Sequence, residues 1–215
     1  MSDHLHLPIS RRGVLAGFVA FPTVFALDGC IGAQHPPEPR RFYLMPLNAV
    51  SSDLPKVDWS LAVDPPETLP ALNTKRVVLA FSENEFDYYA DVEWGDEAPV
   101  MVQQIIIRSF QKLGKIDVVV SERERVRGDF RLTSFLSPFF AVGPKGGAPE
   151  VRIGLNAQLI RARGRQTVGT RAINQVVQSS DASIVSIVGA FNTAMHQVLE
   201  ELVSWTLKAG VAATV

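Results

Sequence analysis

Hydrophobic and polar positions recur with two different periods along this chain, and the change of period divides it. From Asp129 onward the period is two. Phe130, Leu132 and Leu136 alternate with Arg131 and Thr133, and Val151, Ile153, Leu155, Ala157 and Leu159 alternate with Arg152, Asn156 and Gln158. A third run, Gln166 to Val177, follows Arg163-Gly164-Arg165. Alternation of this kind gives each strand one apolar and one polar face, and the short Gly-containing joint predicts an antiparallel meander. Upstream, Val102, Ile106, Phe110 and Leu113 recur at spacings of 4, 4 and 3, which puts them on one helix face. Asp96 is the expected cap of that helix, Pro99 lies in its first turn and Gly114 is placed to end it. Ser179-Ser180-Asp181 is expected to supply the capping residues of a longer helix with Ile184, Ile187, Val188, Phe191, Met195, Val198, Leu202 and Trp205 on its apolar stripe, and Gly210 is expected to close it. Shorter runs, Arg41 to Met45, Trp59 to Val63, Lys75 to Phe81 and Ile116 to Val120, read as strands punctuated by Pro46, Pro65-Pro66 and Pro70. Amphipathic helices must bury their stripes on something. The prediction is therefore an α+β fold, a mostly antiparallel sheet with two helices packed on one face in a two-layer sandwich.

The first forty residues follow neither period. Gly13 to Leu27 is an uncharged apolar run, interrupted by Pro22 and preceded by Arg11-Arg12. At about 1.5 Å per residue it falls short of a hydrocarbon core of about 30 Å, so it predicts a secretory leader rather than a spanning helix. Residues 31–40 (IGAQHPPEPR) are rich in proline and poor in apolar groups, as an extended tether would be. The expected organisation is a signal peptide over residues 1–29, Cys30 and a tether over 30–40, and one α+β domain over 41–210.

Composition removes several kinds of chemistry. The 215 residues hold 21 Lys+Arg against 22 Asp+Glu, a net charge of -1, which removes the global attraction that a nucleic-acid partner would need. One cysteine excludes an internal disulfide and any multi-cysteine metal centre. Beyond the tether, His196 stands alone, so neither a histidine-based triad nor an H-x-x-x-H pair is available. Gly143-Pro144-Lys145-Gly146-Gly147 lacks the order of a phosphate loop, and Asp87, Asp91, Glu93, Asp96 and Glu97 lack that of a calcium-binding EF-hand, reading instead as a solvated loop before a helix N-terminus. No catalytic residue, cofactor or metal is assigned. Two features suggest contact surfaces. Arg161, Arg163 and Arg165 crowd one hairpin tip, with Arg152 and Arg171 in its flanking strands; they suit lipid phosphates or an acidic partner, and equally the protection of exposed strand ends. Phe135, Leu136, Phe139 and Phe140 form an apolar run that alternation explains only in part. Some of these rings are expected at a groove, a subunit interface or lipid, with burial under the last helix as the alternative.

Directly after the leader, Leu27-Asp28-Gly29-Cys30 resembles the lipobox of bacterial lipoproteins: Leu three residues before the cysteine, the small Gly29 just before it, and a thiol open to thioether formation with diacylglycerol. Asp28 stands where a small apolar residue is usual. Ser10-Arg11-Arg12-Gly13-Val14-Leu15 resembles a twin-arginine export signal, while two arginines serve equally as the positive segment of general secretion; both routes stay open. Ile31 in place of an Asp after the cysteine implies, by resemblance to enteric lipoproteins, the outer rather than the inner membrane.

The order of the remaining features completes the reading. Phe42-Tyr43-Leu44, Leu61-Ala62-Val63-Asp64-Pro65-Pro66-Glu67-Thr68-Leu69-Pro70, Arg76-Val77-Val78-Leu79, and Tyr88-Tyr89-Ala90-Asp91 leading through Trp94 to Val102 and Phe110 follow one another, with Phe191 and Trp205 in the final helix. In this order the chain resembles the ABC-type transport auxiliary lipoproteins, which accompany MCE-domain lipid transporters of Gram-negative envelopes; Glu93 stands where that family usually carries Arg. The resemblance implies a non-catalytic periplasmic subunit anchored through Cys30. Its implied partners are an MCE-domain protein and, through it, an ABC permease and ATPase, with the membrane reached by the lipid anchor, no nucleic acid, and room for a homo-oligomer. Two alternatives remain: an outer-membrane assembly lipoprotein supporting a β-barrel, and a hydrolase using Ser134 or Ser137 without a histidine.

Overall fold

A computed structural model of the chain describes residues 38–50, 53–82, 85–124, 128–144 and 146–214. Arg11, Arg12, Leu27, Gly29 and Cys30 lie outside the described residues, as does most of the tether. In chain order the elements are β1 (Arg40–Phe42), β2 (Leu61–Val63), β3 (Glu67–Thr68), β4 (Arg76–Ser82), β5 (Glu85–Trp94), α1 (Ala98–Leu113), β6 (Val119–Ser121), β7 (Phe130–Val142), β8 (Glu150–Arg161), β9 (Gln166–Gln178) and α2 (Ile184–Thr214). The three long alternating runs are β7, β8 and β9, and they pair antiparallel as expected.

The rest of the sheet corrects the expectation of a mostly antiparallel two-layer sandwich. Two helices combine with one large, mixed, curled sheet. Strand β7 pairs with β8 along one edge, while its other edge takes β2, β3 and β4 in succession, all parallel to it. Pairs β1–β5 and β2–β6 are parallel too, and β4–β5 is an antiparallel hairpin. The cause lies in the connections: β2 reaches β7 only after the chain has passed through α1, and a crossover of that length returns a strand in the same direction. With two or three residues each, β2 and β3 are too short to declare a period of their own. The acidic segment Asp87–Glu93, expected in a loop, lies in β5, where Arg41 approaches Glu93 at 4.0 Å.

A bulge in β7 decides where its phenylalanines point. Leu136 faces Leu155, but Phe139 faces Ile153, so β7 carries one residue more than its partner between these pairs. An extra residue inverts the inward–outward alternation. Phe130, Leu132 and Leu136 face the core before the bulge, and Phe139 and Ala141 after it. Opposite the bulge stands Gly154. A Cβ there would lie 2.4 Å from the Ser137 carbonyl oxygen and 2.6 Å from Pro138 Cδ, so only glycine lets the strands close.

Core side chains come from the sheet and both helices in one cluster. At its centre the rings of Trp94, Phe139 and Phe191 meet, with centroids 5.1–5.8 Å apart, a spacing at which tilted aromatic pairs attract. Helix α1 buries Val102, Ile106 and Phe110 as its periodicity predicts, and Gly114, at φ 59°, ends it with its N–H on the Phe110 and Gln111 carbonyls. Asp96 does not cap α1: the cap position is Glu97, and Asp96 accepts the Glu97 N–H. Helix α2 is capped by Ser183, whose Oγ accepts the Ser186 N–H, while Asp181 in turn accepts the Ser183 N–H at 2.7 Å. Gly210 does not end α2, which continues to Thr214; it lies over Trp59, whose ring would be 2.4 Å from an added Cβ.

Candidate functional site

The arginines of the β8–β9 hairpin have different roles. Gly164 and Arg165 adopt positive φ values of 84° and 52° and so close the turn. Arg161 extends from the end of β8 to the last turn of α2, where its guanidinium donates to the Ala213 carbonyl oxygen. The last carbonyls of a helix have no partner within it, and a cation there also suits the negative end of the helix dipole. Arg161 is thus part of the fold, while Arg163 and Arg165 stand exposed at the tip. Of the flanking arginines, Arg152 pairs with Glu150 and Arg171 with Glu201 on α2, the latter through Nε at 2.8 Å.

Beside this tip runs a groove of about 740 Å³ lined by Asp58, Trp59, Asp129, Arg161, Arg163 and Thr214. The Trp59 indole N–H is buried near it without a hydrogen-bond partner among the described residues. Asp129 is held by Ser60: its Oδ2 accepts the Ser60 N–H at 2.8 Å and the Ser60 hydroxyl at 2.7 Å, and its own N–H donates to Ser60 Oγ. The Ser60 backbone donor first, and then its hydroxyl, hold the Asp129 carboxyl below the usual aspartate range.

The phenylalanines separate in the same way. Phe139, expected at a contact surface, is 2% exposed and belongs to the central aromatic trio. Phe140 is half-buried against Phe86, with ring centroids 5.4 Å apart. Phe135 remains outside, 36% exposed. It lines a trough of about 410 Å³ on the outer face of β7, β8 and β9, together with Asp64, Glu67, Asn156 and Gln158. Asp64 forms an ion pair with Arg131 at 3.2 Å, but its Oδ1 is buried without a partner among the described residues. Burial raises its carboxyl above the usual aspartate range; Arg131 opposes the rise and Glu122 adds to it. Sequence reasoning assigned Asp64 no site role. The signal that marks it is an acid directly after three apolar strand residues.

A different surface was missed altogether. Tyr43 and Met45 are exposed on either side of the buried Leu44. The Met45 N–H donates to Asn192 Oδ1 at 2.8 Å, and the His196 ring donates to the Met45 carbonyl oxygen at 3.1 Å. His196, alone as a histidine, therefore serves to fasten this segment to α2. Among the described residues no group of three or more His, Cys, Asp or Glu side chains is gathered as a metal site would need. No helix among them is long and apolar enough to cross a membrane.

What these surfaces belong to follows from comparison with known proteins. The crystal structure of a protein from Xanthomonas campestris is similar over 81% of this chain and 98% of that one, with 25% identity and a TM-score of 0.76. A second crystal structure, of an uncharacterised protein, shares the fold over 77% of this chain and 97% of its own, at 14% identity and a TM-score of 0.58. An uncharacterised protein of Bradyrhizobium diazoefficiens is 26% identical over 150 residues, which are 70% of this chain but only 40% of that protein's length. A family model, that of the ABC-type transport auxiliary lipoprotein component, matches residues 43–203, from the exposed Tyr43 to the buried Val203 of α2, and the chain belongs to that family.

Proposed function

We propose that this protein is a non-catalytic, lipid-anchored periplasmic subunit of an MCE-type lipid transport system, docking the transporter at the outer membrane. The family match over residues 43–203 carries the reading. The lipobox supports it: Cys30, preceded by Leu27 and Gly29, carries the acyl anchor, with Arg11 and Arg12 in the export signal and residues 31–40 as the spacer. Diacylglycerol supplies more than one buried chain at about 0.8 kcal/mol per CH2, enough for stable anchoring. The mechanism is concentration: a tethered domain meets membrane-bound partners at an effective concentration set by its leash rather than by diffusion. Those partners are an MCE-domain protein and, through it, an ABC permease and ATPase. Arg163, Arg165 and Phe135, each exposed, are the contact residues of this reading; Arg161 and Phe139 are engaged within the fold. The outer edge of β9 pairs with no strand among the described residues, which leaves room for a second copy.

Crosslinking in intact cells followed by mass spectrometry tests the assignment. The expected product joins this chain to an MCE-domain protein. Recovery of a β-barrel protein with no MCE partner would overturn it and favour an assembly lipoprotein.

A further inference from the structure

The surface around Tyr43 and Met45 gathers exposed apolar side chains that elsewhere stand singly. Outward positions of the long strands are mostly polar, such as Arg131, Asn156 and Gln158, with Phe135 and Val176 as isolated exceptions, whereas here Tyr43, 61% exposed, and Met45, 57% exposed, stand two residues apart. Val185, also 61% exposed, lies on the same face of α2 as Gly189, Asn192 and His196, by spacings of 4, 3 and 4. Asn192 and His196 bind both backbone polar groups of Met45, so the apolar side chain is presented from a fixed segment. Earlier in the same segment, on the side that Phe42 shares, Arg40 stacks over the Phe42 ring, 5.2 Å from its centroid, and has no acidic partner among the described residues. Among the described residues, Arg41 beside it pairs with Glu93 at 4.0 Å. An exposed tyrosine, a flexible methionine and an unpaired arginine on one edge make up the composition of a membrane–water interface, where rings sit at headgroup depth and cations meet lipid phosphates.

We infer that this edge, Arg40 to Met45 with the Val185 end of α2, rests against the lipid headgroups of the membrane that holds the protein. The inference builds on the lipid anchor proposed above, and the chain length selects the occupant. From Cys30 to Glu38 there are eight residue steps, which at full extension span at most about 29 Å. A domain of this size is roughly 40 Å across. The leash is shorter than the body it holds, so the edge where the described chain begins is drawn to the bilayer and the far side is not. An apolar patch located there has a lipid surface as its nearest neighbour.

The single cysteine makes a direct test available, because acylation of Cys30 leaves no free thiol in the chain. Full-length lipidated protein carrying Met45→Cys, or Val176→Cys as an exposed site on β9, is spin-labelled and reconstituted into vesicles of phosphatidylethanolamine and phosphatidylglycerol. Power saturation then compares collisions with oxygen, which concentrates in lipid, and with an aqueous nickel chelate. The expected result is an oxygen-to-nickel ratio severalfold higher at Met45 than at Val176, lost when Arg40→Glu and Tyr43→Ser are added while the protein still sediments with the vesicles. Equal, water-like ratios at both sites in sedimenting protein would overturn this orientation and leave the anchor standing. A Met45 label shielded from both relaxants would assign the patch to a protein contact and overturn it as well. Protein that stays in the supernatant with a bare Cys30 thiol would overturn anchor and orientation together.

Discussion

At Gly210 two opposing effects can be weighed. Alanine is favoured over glycine inside a helix by about 1 kcal/mol. Here, however, the new methyl group would lie 2.4 Å from Trp59 Cζ2 and 2.9 Å from Cε2, and the indole is itself braced by Phe130 at a centroid distance of 4.9 Å. Overpacking of this kind costs about 1–3 kcal/mol. Gly210→Ala is therefore expected to lower stability by about 1 kcal/mol net, a fall in Tm of about 2–4 °C for a domain of this size; a higher Tm in a thermal melt would show that the ring moves aside freely. Asp64 gives a pH-dependent counterpart. Its folded-state pKa is raised, chiefly by burial, so the fold binds its proton more tightly than the unfolded chain does. That contribution is complete below the ordinary aspartate pKa and is lost as pH rises through the folded value. At neutral pH the carboxylate therefore works against the fold, and Asp64→Asn should raise Tm at pH 7, with the gap from the parent narrowing below pH 4. A gap that widens in acid would refute the burial argument. Neither effect was legible in the sequence. A glycine near a helix end reads the same whether it stops the helix or lets a ring approach, and the burial of Asp64 arises only when β7 brings Arg131 beside it.

Among the elements, the longest proved the most readable. Strands β7, β8 and β9 and both helices run for enough residues that a period of two or of about 3.6 shows above chance; the stripes of β7, β8 and the helices are mostly buried, while β9 buries only Ile173. What the pattern could not carry is a change of phase within an element. One extra residue between Leu136 and Phe139 inverts β7, so Phe139 enters the core and Phe135 is left on the surface, although both stand in the same apolar run. Parallel pairing was hidden for a related reason, since β2 and β3 take their partners from a crossover rather than from their own few residues. Arg161 likewise reveals its role only once Ala213, far along the chain, arrives at its side. Helix starts depend on one residue more or less: Ser183 caps α2, with Asp181 behind it accepting the Ser183 N–H. Removing that hydroxyl leaves a first-turn N–H to water, at a typical cost of about 1 kcal/mol. Ser183→Ala should lower Tm by about 2–4 °C and speed hydrogen exchange in the first turn of α2 while leaving α1 unchanged; uniform loss of protection across both helices would assign the effect to something other than the cap.

On the scale of the whole molecule, the proposed function separates stability from placement: the core of the described residues lies within 38–214, and the proposed anchor at Cys30 precedes them. Among the described residues the buried cluster that includes Trp94, Phe139 and Phe191 draws on both helices and the sheet. Cys30→Ala should accordingly remove the acyl anchor and leave the fold as it is. Without the thiol no thioether forms with diacylglycerol, so the leader is retained or cut elsewhere and the domain leaves the membrane fraction on carbonate washing. If Cys30 serves only as the anchor, the same variant, purified, should melt within about 2 °C of the parent domain, the shift that about 0.5 kcal/mol gives at this size. Loss of transport function with an unchanged melt would place the protein's contribution in where it stands rather than in any bond it makes or breaks. A variant that stays with the membrane and functions fully would show that Arg40, Tyr43 and Met45, or a protein partner, hold the domain there without the lipid.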